Sequence, residues 1–298
     1  MKLQLAERRQ AKIKMALQGP SGSGKTMGAL FIAYGLCEDW GKVAVIDTEN
    51  FSASLYAHLG RFRVLNIEAP FTPEKYIDAL QFCVQEGAEV VIIDSISHEW
   101  EGVGGIIDTH SNMAGNSFTN WGKLTPRHNA FVQAILQSPA HIIGTIRTKQ
   151  DYVLSERNGK QVPEKVGLKG VTREGMDYEF TLVLDVDIRH NAIASKDRTG
   201  LFMDKPEFRI SSETGQQILA WCQQGVRLSP EDALAEQIEA CTTYEELKAL
   251  FNRYPAFQTS HKHLFSQRKM ELAAALEKSL ASQSLTSNIS NHENGSFK

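Results

Sequence analysis

Apolar residues follow two rhythms along this chain. In its first half, short and nearly continuous apolar runs alternate with stretches of helical spacing. Ile13-Lys14-Met15-Ala16-Leu17, Lys42-Val43-Ala44-Val45-Ile46-Asp47 and Val90-Val91-Ile92-Ile93-Asp94 are such runs. Runs this short and this apolar suit strands covered on both faces. Arg61 to Ile67 alternates and stops before Pro70, and Ala140 to Ile146 reads as another strand. Between them, Met27 to Cys37 is helical in spacing. Thr72-Pro73-Glu74 starts a second helix, with a capping hydroxyl, a proline at the first position and an acid in the first turn. Its apolar positions are Tyr76, Ala79, Leu80, Cys83 and Val84. Arg127 to Gln137 places Phe131, Ala134 and Ile135 on one helical face. This alternation predicts an α/β fold, a mainly parallel sheet flanked by helices and joined by right-handed crossovers.

From about residue 150 the rhythm changes. Tyr152-Val153-Leu154 and Gln161-Val162 flank Asn158-Gly159, a dipeptide that favours a tight hairpin turn. Tyr178 to Ile188 and Leu201-Phe202 are strand-like and extend the expected sheet, which ends near Trp221. Ser229-Pro230-Glu231-Asp232 then opens a helix, and Thr243 to Leu250 and Gln267 to Leu280 keep amphipathic spacing. The expected organisation is a core over residues 1–225, a small helical domain over 226–280 and a disordered, Ser/Asn-rich tail over 281–298.

Composition narrows the class without changing that picture. The 298 residues are 42% hydrophobic and 22% charged, ordinary values for a soluble globular chain. The four cysteines, Cys37, Cys83, Cys222 and Cys241, are far apart and read as reduced thiols of a cytoplasmic protein. The N-terminal cations are not followed by an apolar segment, so neither a signal peptide nor a membrane span is expected. His261 and His263, two apart in a helical region, do not share a face and read as packed or solvated residues. The net charge of −3 means that a nucleic-acid partner would have to be held by a local basic patch.

The strongest chemical signal is Gly19-Pro20-Ser21-Gly22-Ser23-Gly24-Lys25-Thr26. It follows a strand and opens a helix, the context of a phosphate-binding loop. The glycines let several backbone N–H groups converge on one anion. Lys25 supplies a point charge for the β- and γ-phosphates, and the Thr26 hydroxyl is a hard oxygen donor suited to Mg²⁺. The chain is therefore expected to bind a nucleoside triphosphate, ATP with Mg²⁺. Asp94, ending an apolar strand, is the expected second metal partner. Ser95 follows it, so a hydrolytic carboxylate must come from elsewhere. Glu49 and Glu99 are both in range, and Glu49 is favoured because it follows the strand ending at Asp47, where ligands collect in open α/β sheets.

The phosphate loop, Ile46-Asp47-Thr48-Glu49 and Ile92-Ile93-Asp94-Ser95 together resemble the RecA-like P-loop ATPase core. In that family the Glu of the Ile-Asp-x-Glu segment is catalytic, which corresponds to Glu49. The wider pattern over residues 11 to 221 is similar to phage-encoded Sak-type recombination ATPases. It is carried by Asp94 to Gly102, Ser138 to Ile143, Arg147 to Tyr152 and Ser195 to Gly200. Lys196-Asp197-Arg198-Thr199-Gly200 resembles a Lys-x-Arg-x-Gly segment whose two cations reach the nucleotide of a neighbouring subunit in RadA and DnaB relatives. The resemblance thus implies self-association, as a ring or filament, with Lys196 and Arg198 in the shared site; a charged surface turn is the plain alternative.

Between Arg147 and Arg173, seven cations (Arg147, Lys149, Arg157, Lys160, Lys165, Lys169 and Arg173) stand against three acids, Asp151, Glu156 and Glu164. In RecA-like proteins a loop at this place contacts single-stranded DNA. Lys149, Arg157, Lys160, Lys165, Lys169 and Arg173 would track phosphates, and Tyr152 would stack on a base. The expected function is a DNA-stimulated ATPase acting in phage recombination or replication, in the host cytoplasm. The alternatives are a P-loop kinase of a small acceptor, and a nucleotide-gated protein whose helical domain recruits an annealing or single-strand-binding partner.

Overall fold

The computed structural model describes residues 5, 8–157, 160–226, 230–254 and 258–274. The Asn158-Gly159 turn and the 281–298 tail lie outside the described residues. In chain order the elements are β1 (Lys14–Gly19), α1 (Lys25–Cys37), β2 (Val43–Asp47), β3 (Arg63–Asn66), α2 (Pro73–Gln85), β4 (Val90–Asp94), α3 (Ser97–Glu101), α4 (Ile106–Asn112) and α5 (Ser117–Gln137). There follow β5 (His141–Arg157), β6 (Lys160–Gly170), α6 (Met176–Glu179), β7 (Leu182–Val186), β8 (Asn191–Asp197), β9 (Phe208–Arg209), α7 (Ser212–Cys222), α8 (Pro230–Ala240) and α9 (Tyr244–Arg253). None of the helices among the described residues is long and apolar enough to cross a membrane.

The sheet order is β3-β2-β4-β5-β1-β7-β8-β9, with β6 paired to β5 outside that path. The strands from β3 through β7 in that order are parallel, and β8 and β9 add antiparallel strands at one edge. One strand, β5, is inserted between the phosphate-loop strand β1 and the Asp94 strand β4. This is the mixed α/β arrangement, a mainly parallel sheet with the phosphate loop at its carboxyl edge, that the apolar runs imply.

Alternate residues of each central strand enter different cores, because side chains switch faces at every position. Met15, Leu17, Val43, Val45, Val90 and Ile92 pack with Leu30, Ile32, Ala33 and Leu36 of α1. Ala16, Ala44, Ile46, Val91 and Ile93 pack with Tyr76 and Leu80 of α2 and Phe131 and Ile135 of α5. The continuous apolar runs are thus explained by helices on both faces. On the first face α1 meets α7 at two glycines. A Cβ on Gly35 would lie 2.0 Å from the Ser212 carbonyl oxygen, and one on Gly215 would lie 2.3 Å from that of Ile32.

Three elements differ from the sequence expectation. The α5 helix begins at Ser117, ten residues before Arg127, with Asn116 Oδ1 accepting from the Phe118 and Thr119 amides. Pro126 lies inside it, where a proline removes a backbone hydrogen bond, yet the helix passes through. Buried Leu124 and His128 anchor both sides, and Arg127 makes a two-pronged ion pair with Glu74 of α2. Tyr178 lies in α6, and the strand starts only at Leu182. Leu201-Phe202 is a bend and not a strand. The Asp197 carboxylate accepts from the amides of Thr199, Gly200, Phe202 and Met203, turning the chain, while buried Phe202 stacks on Phe208.

The described residues of Met1–Gln10 and Gly225–Lys298 form a compact unit separate from Ala11–Gln224. Within it, α8, α9 and helical residues 262–274 close over Leu234, Ile238, Cys241, Leu247, Leu250 and Phe265. A capping box between Thr243 and Glu246 starts α9.

At the start of β5, buried His141 accepts a hydrogen bond at Nδ1 from the Ile13 amide, at 3.1 Å. Burial, reinforced by Lys12 and Lys14, lowers its pKa from 6.5 to about 3. The folded state therefore requires neutral imidazole. The stability this contributes is complete above pH 6.5 and is lost as the pH falls toward 3. By pH 5 the loss should be about 2 kcal/mol. His141→Asn, whose amide oxygen can accept from Ile13 without titrating, should flatten that dependence. Denaturant unfolding of both proteins at pH 7.5 and pH 5 checks this, and equal losses in the two would contradict it.

Candidate active site

The carboxyl ends of the parallel strands converge on one cleft of about 840 Å³, the size of a small-molecule site. Its floor is the phosphate loop between β1 and α1. Gly22 and Gly24 take left-handed φ values of 78° and 88°, which L side chains resist. Gly19 answers to space: a Cβ there would sit 2.2 Å from the Val186 carbonyl oxygen. The first turn of α1 has no side-chain cap and no acidic residue. Its free N–H groups and the positive end of the helix dipole therefore face the cleft, a ready anion site.

Lys25 Nζ donates to the carbonyls of Gly19 and Pro20, each at 2.8 Å, and so is held inside the loop with a donor to spare. Burial lowers its pKa, against the opposing pull of Asp94 and Glu49. Thr26 Oγ1 donates to Asp94 Oδ2 at 2.7 Å, and Thr145 Oγ1 donates to Asp94 Oδ1 at 2.5 Å. Asp94 is 4% exposed, and burial raises its pKa despite those two hydroxyls. A buried carboxylate beside a threonine hydroxyl is a hard-oxygen pair that fits Mg²⁺. Ser21, Gly22, Gly24, Lys25 and Thr26 line the cleft directly; Ser23 lines it too, but its hydroxyl is buried under the loop.

Glu49 and Glu99 fall in different environments. Glu49 lines the cleft just past β2, where Asp47 Oδ1 accepts from its amide at 2.6 Å. Arg147 grips its carboxylate with two prongs, Nε to Oε1 at 2.8 Å and the Nη2 group to Oε2. Burial alone would raise the Glu49 pKa, but the hydrogen bond and charge of Arg147 bring it below the usual value. The Arg147 side chain is 47% exposed, so the pair contributes about 1 kcal/mol or less to stability. Glu99 is fully buried, with both carboxylate oxygens 3.1 Å from His128 Nδ1, and burial raises its pKa.

Lys196 and Arg198 lie at the end of β8 and just beyond it. Lys196 Nζ donates to the carbonyls of Asp177 and Tyr178, and Arg198 donates to Tyr178 at 3.2 Å. Neither is among the residues lining the cleft. The basic segment forms the antiparallel hairpin of β5 and β6, from Thr148↔Gly170 to Arg157↔Lys160. Since β1 ends opposite Arg147, residues 148–157 run past the edge of the parallel sheet. Lys149 pairs with Glu101 of α3 at 2.6 Å, Arg173 donates to Asn129 at 3.3 Å, and Lys169 is exposed. Tyr152, Arg157, Lys160 and Lys165 are placed on the hairpin by its backbone register.

Three neighbours of the loop escape a reading of motifs. Thr145 reaches Asp94 only because β5 lies beside β4. His190, on the turn between β7 and β8, sits against Gly24 with Nδ1 3.0 Å from the Ser23 carbonyl oxygen. Arg147, countable in sequence only as one of a basic run, faces Glu49 from a strand 98 residues away.

A protein-family comparison matches residues 11–221 to the AAA domain family, spanning every element of this cleft. The chain belongs to the AAA domain family. This AAA domain is a P-loop ATPase domain, built to bind and hydrolyse a nucleotide. No curated protein matches the chain. Among solved structures, the KaiC-like protein PH0186 from the hyperthermophilic archaeon Pyrococcus horikoshii OT3 is 17% identical. That likeness covers 67% of this chain and 87% of that one, with a TM-score of 0.39.

Proposed function

We propose that this AAA domain binds ATP with Mg²⁺ and couples its hydrolysis to single-stranded DNA held along the β5–β6 hairpin, in phage recombination or replication. Backbone N–H groups of Gly22, Gly24, Lys25 and Thr26 and the Lys25 ammonium bind and orient the phosphates. Thr26 would ligate Mg²⁺ directly and Asp94 through water, and the ion would neutralise charge developing on the phosphates. Glu49 orients the attacking water and takes its proton. Assembly into a ring or filament would bring Lys196 and Arg198 of one subunit toward the nucleotide of the next, in exchange for their present carbonyl partners.

The observation carrying the DNA reading is the hairpin itself, which projects beyond the sheet from a root, Arg147, inside the nucleotide cleft. Its register sets Lys149 opposite Lys169 and Arg157 opposite Lys160. Cations grouped on one hairpin suit a polyanion, whose phosphates they would neutralise. The test is phosphate release with and without single-stranded DNA, where stimulation is expected and an unchanged rate refutes the coupling. Replacing Lys160, Lys165 and Lys169 with Ala should weaken DNA binding alike for all sequences. The salt slope should fall by about 0.7 per lost phosphate contact, roughly two units in total. An unchanged slope would move the DNA off the hairpin.

A further inference from the structure

A loop binds an anion through its amides only if its carbonyls are turned elsewhere, because carbonyl oxygens repel a phosphate. Two carbonyls of this loop are taken by Lys25, whose Nζ holds those of Gly19 and Pro20. That of Gly24 accepts from the Gly28 amide as α1 begins. The Ser23 carbonyl is held from outside the loop, 3.0 Å from Nδ1 of His190. A carbonyl can only accept, so Nδ1 carries the proton and donates it.

The carbonyl and the N–H of one trans peptide unit point in opposite directions. Ser23 C=O and Gly24 N–H belong to one unit, so the partner of the first fixes the direction of the second. Gly24 lines the cleft with a φ of 88°. Glycine takes either sign of φ at little cost, and Gly24 by itself does little to stop this peptide plane from turning over. His190 supplies the restraint from a rigid support. It sits in the turn between β7 and β8, itself at a left-handed φ of 67°. Asp187 builds that turn: its Oδ1 accepts from the Arg189 and Asn191 amides, each at 2.8 Å, and its carbonyl accepts from the His190 amide at 3.0 Å. Because β7 pairs in parallel with β1, Asp185 opposite Gln18, the turn arrives beside the loop. There the ring packs on Gly24, where a Cβ would lie 3.2 Å from Nδ1.

We propose that His190 is a positioning residue of the phosphate loop, its Nδ1–H bracing the Ser23 carbonyl so that the Gly24 amide stays turned to the nucleotide. Loop amides of this kind cradle the α- and β-phosphates, which ATP and ADP share. The brace therefore serves both nucleotides alike, unlike a contact to the terminal phosphate.

His190 has this role only if the loop binds a nucleotide, as the ATPase reading holds, and the two are tested apart. Affinities for ADP and for a hydrolysis-resistant ATP analogue, both with Mg²⁺, are measured for the wild type, His190→Gly, His190→Asn and His190→Gln. His190→Gly keeps the left-handed backbone accessible and deletes the donor, so it should bind both nucleotides about three- to tenfold more weakly. The side-chain amide nitrogen of Asn reaches where Nδ1 stands, and Asn tolerates positive φ. His190→Asn should therefore return both affinities to within about twofold of wild type. The longer Gln carries its amide nitrogen toward the place of Nε2 and should not restore them. In phosphate release, His190→Gly should raise KM more than it lowers kcat, as expected for lost binding common to ground and transition states. Wild-type affinity in His190→Gly, a loss confined to the analogue, rescue by Gln in place of Asn, or rescue by neither would each overturn the brace. A wild type that binds neither nucleotide would instead overturn the ATPase reading.

Discussion

Lys25→Ala is expected to abolish measurable ATP binding at ordinary concentrations while the protein stays folded. Lys25 is the one cation built into the phosphate loop, gripped by the Gly19 and Pro20 carbonyls so that its charge is fixed where phosphates would lie. Burial already lowers its pKa, so the site pays to hold a charge there that only an anion rewards. Removing a charge-assisted contact to a polyphosphate should weaken binding by about 10² to 10³. The fold should hardly respond, since alanine favours a helix and α1 is anchored by Leu30, Ile32, Ala33 and Leu36. Titration calorimetry with ATP and thermal unfolding on the same sample make the check. Unchanged affinity with unchanged turnover would remove the phosphate-loop assignment.

Glu49→Gln should leave ATP bound and slow turnover by about 10² to 10⁴, because an amide cannot take a proton from water. The alternative carboxylate predicts a different phenotype. Glu99 is sealed in the core against His128, so Glu99→Gln should lower stability by about 1–3 kcal/mol and leave the rate of the folded protein near wild type. Single-turnover phosphate release separates these cases. A well-folded Glu99→Gln protein that binds ATP without hydrolysing it, beside an active Glu49→Gln protein, would reverse the assignment of the base.

Much of this site was legible along the chain because its parts are local. A phosphate loop is eight consecutive residues, and its glycines answer to φ values and close approaches within the same turn. The strands of the parallel core announced themselves because both faces are covered, leaving no polar alternation to blur them. Thr72 and Pro73 start α2 for reasons contained in one helical turn, with the Thr72 hydroxyl accepting from the Lys75 amide.

What escaped was set by neighbours distant in sequence. The helix expected from Arg127 in fact starts at Ser117, and Glu74 and a buried Leu124 hold it through Pro126. Leu201 and Phe202 are apolar enough for a strand, but four amides bound to the Asp197 carboxylate bend the backbone away from any ladder. Sequence narrowed the carboxylates near the cleft to Glu49 and Glu99 and favoured the first from its place after β2. Their separation into a cleft-lining residue and a buried one belongs to the packing of α3 against α5. Arg147 shows the same limit most sharply. As a letter it is one cation in a basic run, and only the insertion of β5 between β1 and β4 turns it onto Glu49. Sequence by itself determined the layered α/β fold and the phosphate loop, because both follow from periodicity and local backbone geometry. The charge pairing around that loop was decided by tertiary structure, because strand order alone sets which side chains share the cleft.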